Sequence, residues 1–476
     1  MQQPQAQPAE KFTEKFTDHA VNGVNPTEQT ADFVAAHRTE DVRQLALKAK
    51  RVEGLDLPLA LDQIAGWQIA CKKLPQWASC EGIIYPPHIS MEQCSSQFTA
   101  QYKSEIAQTL LTLAVTVRAR MSDSAESDNQ TTKSEPQLSN SGESDNCEVE
   151  MCLRMSDSPE SDTLVARSSM VDLTGGFGVD FSYLARGFSQ ATYVERQRHL
   201  CDLAEHNMAA LGLDQARIVC GDGVEYLRQM DPVDFIYLDP ARRDEHGSRT
   251  YAIEDCTPNV FELRDLLLAK SQYTLVKLSP MLDWRKAVAD FDGTVREVHI
   301  VATGNECKEL LLVLGQQMHE EPSAPRVFCV NDNQRIDYDS AAYTQGLRIG
   351  GKPLPEVKNY LYEPNASIMK AGCFDLVEER FGVTQVGPSS HLFVSATPVA
   401  DFPGRGFAIE AIGGMNKKDI KRLLNGTKQA NIAVRNFPLT APQLRKKLKL
   451  ADGGPVYLFG TTMQGCDHVL LRTSKI

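Results

Sequence analysis

VDLTGGFGVD, residues 171–180, decides how the middle of this chain is read. A short apolar run enters Asp172, a turn of Thr174-Gly175-Gly176-Phe177-Gly178 comes next, and helical patterning resumes after it. Glycines at a strand-to-helix turn let a ligand approach the backbone closely, and the helix end presents free N–H groups. Alone, the turn divides evenly between a ligand loop and a structural connection. Its surroundings add weight. Short apolar runs at 170–173, 191–195, 217–220, 235–238, 273–278, 297–302 and 309–314 alternate with helical stretches. One stretch places Leu200, Leu203, Ala204, Met208 and Leu211 on a single face, and Gly212 ends it. Strands alternating with helices over about 150 residues predict an open, doubly wound α/β domain.

The acids fall regularly in this frame. Asp172 ends the first strand, Glu195 the second and Asp239 the fourth, while Asp222 follows the third. Ligands of open α/β sheets bind at the carboxyl edge, where the strand order reverses. Any single acid there reads best as a helix N-cap, but four beside a glycine turn favour a cationic or hydroxyl-rich cofactor. A dinucleotide fingerprint starting at Gly176-x-Gly178 would end on Phe181, which spoils close helix packing, and no Gly-Lys-Ser/Thr of a phosphate loop is present after the turn. S-adenosylmethionine fits better. Its ammonium and sulfonium charges suit Asp172 and Asp239, its ribose diol suits Glu195, and its adenine amino group can donate to Asp222.

Working outward, 476 residues with 42% hydrophobic and 24% charged side chains describe an ordinary globular chain of about three domains. No apolar run approaches the roughly 20 residues that cross a bilayer, and MQQPQAQPAEKF has no secretory signal pattern. Twelve cysteines lie scattered without a CxxC pair or Cys/His cluster. The expectation is a reduced, cytoplasmic protein with no metal and no membrane partner. The expected layout is a disordered N-terminus over 1–30, a helical domain over 31–120, an acidic low-complexity insertion over 121–163 and a doubly wound domain over 164–320. A mixed α/β module over 321–415 and a basic domain over 416–476 complete it. In the helical region, Asn25-Pro26 is expected to open the first helix, and Ser90 with Gln93 to form a capping box for another running towards Arg120. Further on, 365–377, 417–424 and 441–448 read as helices, and 457–461 and 469–472 as strands.

The formal charge of −12 is unevenly placed. Residues 121–162 hold eleven acids and two bases, or −9, whereas 416–476 hold twelve Lys and Arg against Asp419, Asp452 and Asp467, or +9. Such asymmetry bears on partners rather than fold. Arg445, Lys446 and Lys447 on one expected helix form a surface suited to phosphates, with Tyr457 and Phe459 on a later strand.

VDLTGGFG, YVE, GDG and LDPARR resemble the motifs of class I S-adenosylmethionine-dependent methyltransferases. The whole chain more closely resembles bacterial members with a THUMP-like C-terminal domain. ALDQIAGWQIACKKLPQW and GIIYPPHISMEQCSS carry this likeness near the N-terminus; VKLSPMLDW and GNECKELL carry it in the core. YEPNASIMKAG, ANIAVRNFPL, LRKKLKL and YLFGT carry it at the C-terminal end. The resemblance covers all but the acidic insertion and the first 30 or so residues.

It implies a multidomain α/β fold: a helical N-terminal domain, a Rossmann-like core, and ferredoxin-like and THUMP-like modules. It also implies a cofactor set of Asp172, Thr174, Gly175, Gly176, Gly178, Glu195, Asp222, Gly223 and Asp239, with Asp239, Pro240 and Arg242 catalytic. Thr174 stands where Gly is commonest. Asp239-Pro240-Ala241-Arg242 stands where amino-group methyltransferases carry Asp/Asn-Pro-Pro-aromatic, so an arginine replaces the ring that would stack on a base. Arg242, Arg243, Lys277, Ser279, Arg445, Lys446 and Lys447 are candidate substrate contacts, although Arg242 and Arg243 could equally pair with nearby acids and Lys277 could be a partly buried ion pair. The expected activity is methylation of structured RNA, tRNA or rRNA, at a base nitrogen. The alternatives are an RNA-binding protein with a cofactor pocket but no turnover, and a protein or small-molecule methyltransferase.

Overall fold

The computed structural model describes residues 27–48, 53–127, 168–242, 256–316, 324–343, 358–465 and 467–476. Described residues up to Lys277, together with Leu314–Gln316, form one compact unit, and the remaining described residues form a second.

The first unit opens with helices Glu28–His37, Val42–Lys48, Leu57–Lys73, Pro75–Ser79, His88–Gln93 and Gln97–Ser127. Thr27 caps the first of these through the N–H of Thr30; Asn25 and Pro26 lie outside the described residues. The expected capping box at Ser90 is not there. Pro87 fixes a helix start just before it, that helix ends at Cys94, and the long helix is capped instead by the Ser96 hydroxyl, which accepts from the Thr99 N–H at 3.2 Å. The helix then runs to Ser127. The rest of the acidic stretch lies outside the described residues.

Seven strands come next: β1 (Ser169–Asp172), β2 (Gln190–Glu195), β3 (Ala216–Cys220), β4 (Val233–Leu238), the short β5 (Ala241–Arg242) and β6 (Cys256–Thr257), and β7 (Ser271–Leu278). β7, β4, β1, β2 and β3 lie side by side in that order, all parallel. The order reverses between β1 and β4, which makes their carboxyl ends the switch-point crevice of an α/β sheet. Met170, Val171, Phe235, Ile236, Leu275 and Val276 are buried, as expected of a sheet covered on both faces. Helix Arg198–Ala210 ends as anticipated, with Gly212 at φ 70°.

The N-terminal helices and this sheet share one core. Ala31, Ile84 and Leu203 pack together with Phe177 and Leu200. Asn207 accepts from the Ile84 N–H and donates to the Ile84 carbonyl, both at 2.9 Å. The Trp77 indole donates to the Ser182 hydroxyl. The Gln97–Ser127 helix packs on the short helix Val179–Leu184, which leaves the glycine turn.

The second unit contains β8 (Val295–Thr303), β9 (Glu306–Gly315), β10 (Arg326–Asn331) and β11 (Gln334–Asp339), with β8 parallel to β10 and β10 antiparallel to β11. A seven-stranded sheet then combines β12 (Tyr360–Pro364), β13 (Thr384–Gln385), β14 (Phe393–Ser395), β15 (Gly404–Gly414), β16 (Asn431–Arg435), β17 (Val456–Thr462) and β18 (His468–Lys475), in the order β13-β14-β12-β15-β18-β17-β16. The single helix expected over 365–377 is two, Ala366–Ala371 and Phe374–Phe381. Gly372 takes φ 68° between them and ends the first as its C-cap. Helices Lys417–Leu424 and Ala441–Leu448 have the expected bounds, and the second carries a full capping box from Thr440 and Gln443.

Candidate functional site

The site is built at the carboxyl ends of β1, β2 and β4. Gly175 and Gly176 serve different ends in the turn after β1. A Cβ on Gly175 would stand 2.2 Å from Cε2 of Tyr193, so that glycine is required by packing; Gly176 sits at φ 57°, where an added Cβ would meet nothing nearer than 3.6 Å. The Tyr193 hydroxyl donates to the Gly176 carbonyl and pins the turn from below. Glu195 braces it from β2, accepting from the Gly176 N–H at 3.0 Å and from the Gln197 N–H at 2.9 Å. Gly178 then caps Val179–Leu184 in the left-handed region.

Thr174 explains its own departure from glycine. Its N–H donates to Asp172 Oδ1 at 2.9 Å and its hydroxyl to the same oxygen at 3.4 Å, while that hydroxyl accepts from the Asp239 N–H at 2.7 Å. The threonine therefore ties the carboxyl that ends β1 to the backbone of Asp239, the residue just after β4. Asp172 is buried, and burial raises its carboxyl to about 8, with Asp180 and Asp239 adding to the rise and the Thr174 bonds opposing it. Burial favours the neutral form of a carboxyl, and a nearby cation favours the charged one. A ligand ammonium would supply that charge.

Asp222 caps helix Gly223–Gln229, accepting from the N–H groups of Val224 and Glu225 at 2.9 and 3.1 Å. Both bonds fall on Oδ1, so capping and ligand contact through Oδ2 are compatible. Gly223 is tightly packed; a Cβ there would lie 2.2 Å from the Leu173 carbonyl oxygen.

Beside Asp239 lies a polar cluster that sequence reading missed in part. The Lys277 ammonium donates to Asp239 Oδ2 at 2.7 Å and to the Ser95 hydroxyl at 3.2 Å, and lies 3.5 Å from Asp180 Oδ2. Asp180 also accepts from the Tyr237 hydroxyl at 2.7 Å and the Ser95 hydroxyl at 2.9 Å, and faces the Lys103 ammonium at 3.2 Å. Burial would raise the Asp180 carboxyl, but Lys103, Lys277 and the two hydroxyls outweigh it and bring it down to about 2. Lys103 is wholly buried. One sign of it was legible: the helical stripe Ala100, Ile106, Ala107, Leu110 is apolar except for this lysine. Its partner Asp180 ends the quoted motif, yet nothing local links the two.

The remaining candidates are dispersed. Pro240 is buried behind Asp239. Arg242 ends β5, paired across from Cys256, and Arg243 lies outside the described residues. Ser279 is buried, its hydroxyl accepting from the Met281 N–H. In the basic region, Arg445 donates to the carbonyls of Ala430 and Ala451 at 2.9 and 3.0 Å and pairs with Asp452 at 2.6 Å, whereas Lys446, Lys447 and Lys449 are exposed. Phe459 is buried in a cluster with Leu361 and Phe407, and Tyr457 packs on Phe407, so neither ring forms a stacking surface. Among the described residues no cluster of His, Cys, Asp and Glu could hold a metal, and no helix is long and apolar enough to cross a membrane.

The fold and this crevice define a Rossmann-like methyltransferase architecture, and comparison with known proteins agrees. A ferredoxin-like domain family matches residues 360–403 and a THUMP domain-like family matches 404–475. A crystal structure of a candidate methyltransferase from Porphyromonas gingivalis W83 is 29% identical over 94% of this chain and 97% of its own, with a TM-score of 0.72. The chain is thus similar over nearly its whole length to a methyltransferase-type protein, and it ends in a THUMP-like domain. A SAM-dependent methyltransferase from Agrobacterium tumefaciens aligns at 17% identity over 32% of this chain and 56% of its own, with a TM-score of 0.25, too low to add weight. No protein of curated function matches the sequence.

Proposed function

We propose that this chain is a cytoplasmic S-adenosylmethionine-dependent methyltransferase that modifies RNA, tRNA or rRNA, at a base nitrogen. The observation that carries the reading is the Thr174 bridge, which ties the Asp172 carboxyl to the Asp239 backbone N–H in one crevice beside an open glycine turn braced by Glu195. The donor set fits the cofactor: Asp172, with Thr174, Gly175, Gly176 and Gly178, would hold the amino-acid part; Glu195 the ribose diol; and Asp222 with Gly223 the adenine edge. When bound, the cofactor supplies a methyl group on a sulfonium centre.

This chain's residues contribute orientation and electrostatics. Asp239 and the backbone at Pro240 accept hydrogen bonds from the substrate amine and aim its lone pair, a contribution of proximity and preorganised polarity. Arg242 and Arg243 are the further substrate contacts of this reading. Lys446 and Lys447 are the surface cations best suited to phosphates; Arg445 supports them from inside the domain. The likeness of 404–475 to THUMP modules, together with the +9 charge of 416–476, favours RNA over a protein or small molecule.

The test is transfer of labelled methyl from S-adenosylmethionine to total RNA from cells lacking this protein, with nuclease, protease and solvent-extraction controls. Label that is nuclease-sensitive and recovered in a methylated nucleoside supports the reading. Label confined to protein or small molecules, or no transfer with measurable cofactor binding, rejects it.

A further inference from the structure

We propose that Lys277 is a positioning residue for Asp239, held in place by a buried relay in which the N-terminal helical segment supplies Ser95 and Lys103. The inference rests on the methyltransferase reading and deepens it. The helical segment becomes part of the catalytic centre rather than a separate substrate handle.

Asp239 needs such a device. Its side chain is 42% exposed, so without a partner it would sample several rotamers, and misplacement of an acceptor by an ångström costs much of its catalytic value. The 2.7 Å bond from Lys277 fixes Oδ2 and leaves Oδ1 for the substrate. Lys277 is itself a long, flexible side chain, only 15% exposed, and it is restrained by Ser95 at 3.2 Å and Asp180 at 3.5 Å. Asp180 is restrained in turn by Lys103, Tyr237 and Ser95. Lys103 and Lys277 thus share the buried Asp180, and Lys277 alone reaches on to the more exposed Asp239; among the buried members, loss of one strands the others. A purely structural staple between helix and sheet would require Lys103 and Asp180 alone. It would not require the second lysine to reach from β7 to the exposed acid after β4.

The experiment uses the full chain, labelled S-adenosylmethionine and total RNA from cells lacking the protein. The main variant is Lys103→Met with Asp180→Asn, which removes one charge of each sign. It should slow single-turnover methyl transfer by about 30-fold while the cofactor dissociation constant stays within about threefold, the signature of a group acting on the reacting centre. Tyr237→Phe, a mild change that keeps both charges, should slow transfer several-fold. Lys277→Arg should recover part of what Lys277→Met loses. Wild-type rates in both the folded double variant and Tyr237→Phe overturn the proposal.

An activity-free readout separates it from the functional reading. Acylation of Lys277 by acetic anhydride, followed by mass spectrometry, should be at least about tenfold slower than acylation of the exposed Lys446 and should accelerate in the double variant, because an amine only 15% exposed and enclosed by Asp239, Ser95 and Asp180 is shielded from the reagent until the cluster loosens. If Lys277 reacts equally in both proteins, it is not held by the relay and the inference fails, whatever the activity. If wild-type protein transfers no methyl group to RNA, it is the functional reading that fails.

Discussion

The crevice after β1 and the surface of helix Ala441–Leu448 are both rich in charge, yet they use it in opposite ways. At the crevice, charges answer one another across a buried core: Lys103 and Lys277 meet the buried Asp180, Lys277 reaches on to Asp239, and burial raises the Asp172 carboxyl to about 8. On the basic domain the arginines turn inward. Arg445 satisfies backbone carbonyls, Arg472 pairs with Glu410 and bonds the carbonyls of Leu423 and Leu424, and Arg435 reaches the buried Glu363. Lys446, Lys447 and Lys449 stay in solvent. The division follows from chemistry, because a planar guanidinium satisfies several acceptors at once whereas a strongly hydrated ammonium resists burial without a carboxylate. Net charge alone would have ranked the basic domain first. Burial ranks the crevice first, since there two ammonium groups and Asp180 depend on one another, whereas Lys446, Lys447 and Lys449 have water for a partner.

The comparison breaks most visibly at Asp239. Asp239→Ala should lower methyl transfer by about a thousandfold or more and weaken cofactor binding far less, as expected for a contact made to the reacting group. Single-turnover kinetics beside calorimetry would check it, and a near-normal rate would remove Asp239 from catalysis.

Asp172 tests burial through pH. Its folded value lies near 8, above the unfolded carboxyl value of about 3.8, so the folded state holds the proton more tightly and stability falls as pH rises between those values. Asp172→Asn should therefore gain on the wild type between pH 5 and pH 8, by at most about 1.4 kcal/mol per pH unit, in chemical denaturation without cofactor. A pH-independent difference would contradict the buried carboxyl with its raised value. Saturating S-adenosylmethionine should shrink the gain.

Glu195→Ala should weaken cofactor binding by about 1.5–3 kcal/mol, since it removes charge-assisted bonds both to the ligand and to the Gly176 N–H. Unchanged calorimetric affinity in a folded variant would remove Glu195 from the ribose role.

The smallest effects sharpen the contrast within the basic helix. Arg445→Ala should cost about 1–2 kcal/mol of stability, because the Ala430 carbonyl loses its side-chain donor and the Ala451 carbonyl keeps only the Ala430 N–H. Lys446→Ala with Lys447→Ala should leave the melting temperature in place and reduce the salt slope of RNA binding by about 1.5. Reversed outcomes, a destabilised lysine variant and an RNA-defective but stable arginine variant, would overturn the assignment of arginine to structure and lysine to surface.

Much of this was written in local sequence. The alternation of short apolar runs with amphipathic helices specified the parallel sheet, because period and strand length are properties of adjacent residues. The glycine turn and the acids at strand ends were legible for the same reason: Asp172 and Glu195 close their strands, and Asp239 and Asp222 lie one and two positions beyond theirs. Capping chemistry fixed the ends of Lys417–Leu424 and Ala441–Leu448. Local signals misled where two were close together. Ser90 was the expected cap, but Pro87 starts a helix too early for it, and Ser96 caps the long helix instead. Gly372 divided a continuous apolar pattern, because its left-handed backbone ends a helix whatever residues come after it.

What tertiary structure alone decided was partnership. Asp180 and Lys103 lie 77 positions apart, Asp239 and Lys277 lie 38 apart, and no spacing rule joins either pair, since their meeting depends on how a helix packs over a sheet edge. The same holds for Thr174, whose hydroxyl reaches Asp239 across 65 residues. The sequence by itself determined which residues could carry charge at the carboxyl edge and which helices could form. Folding determined which of those charges face each other and lose their water, and desolvation is what turns a row of acids into a site.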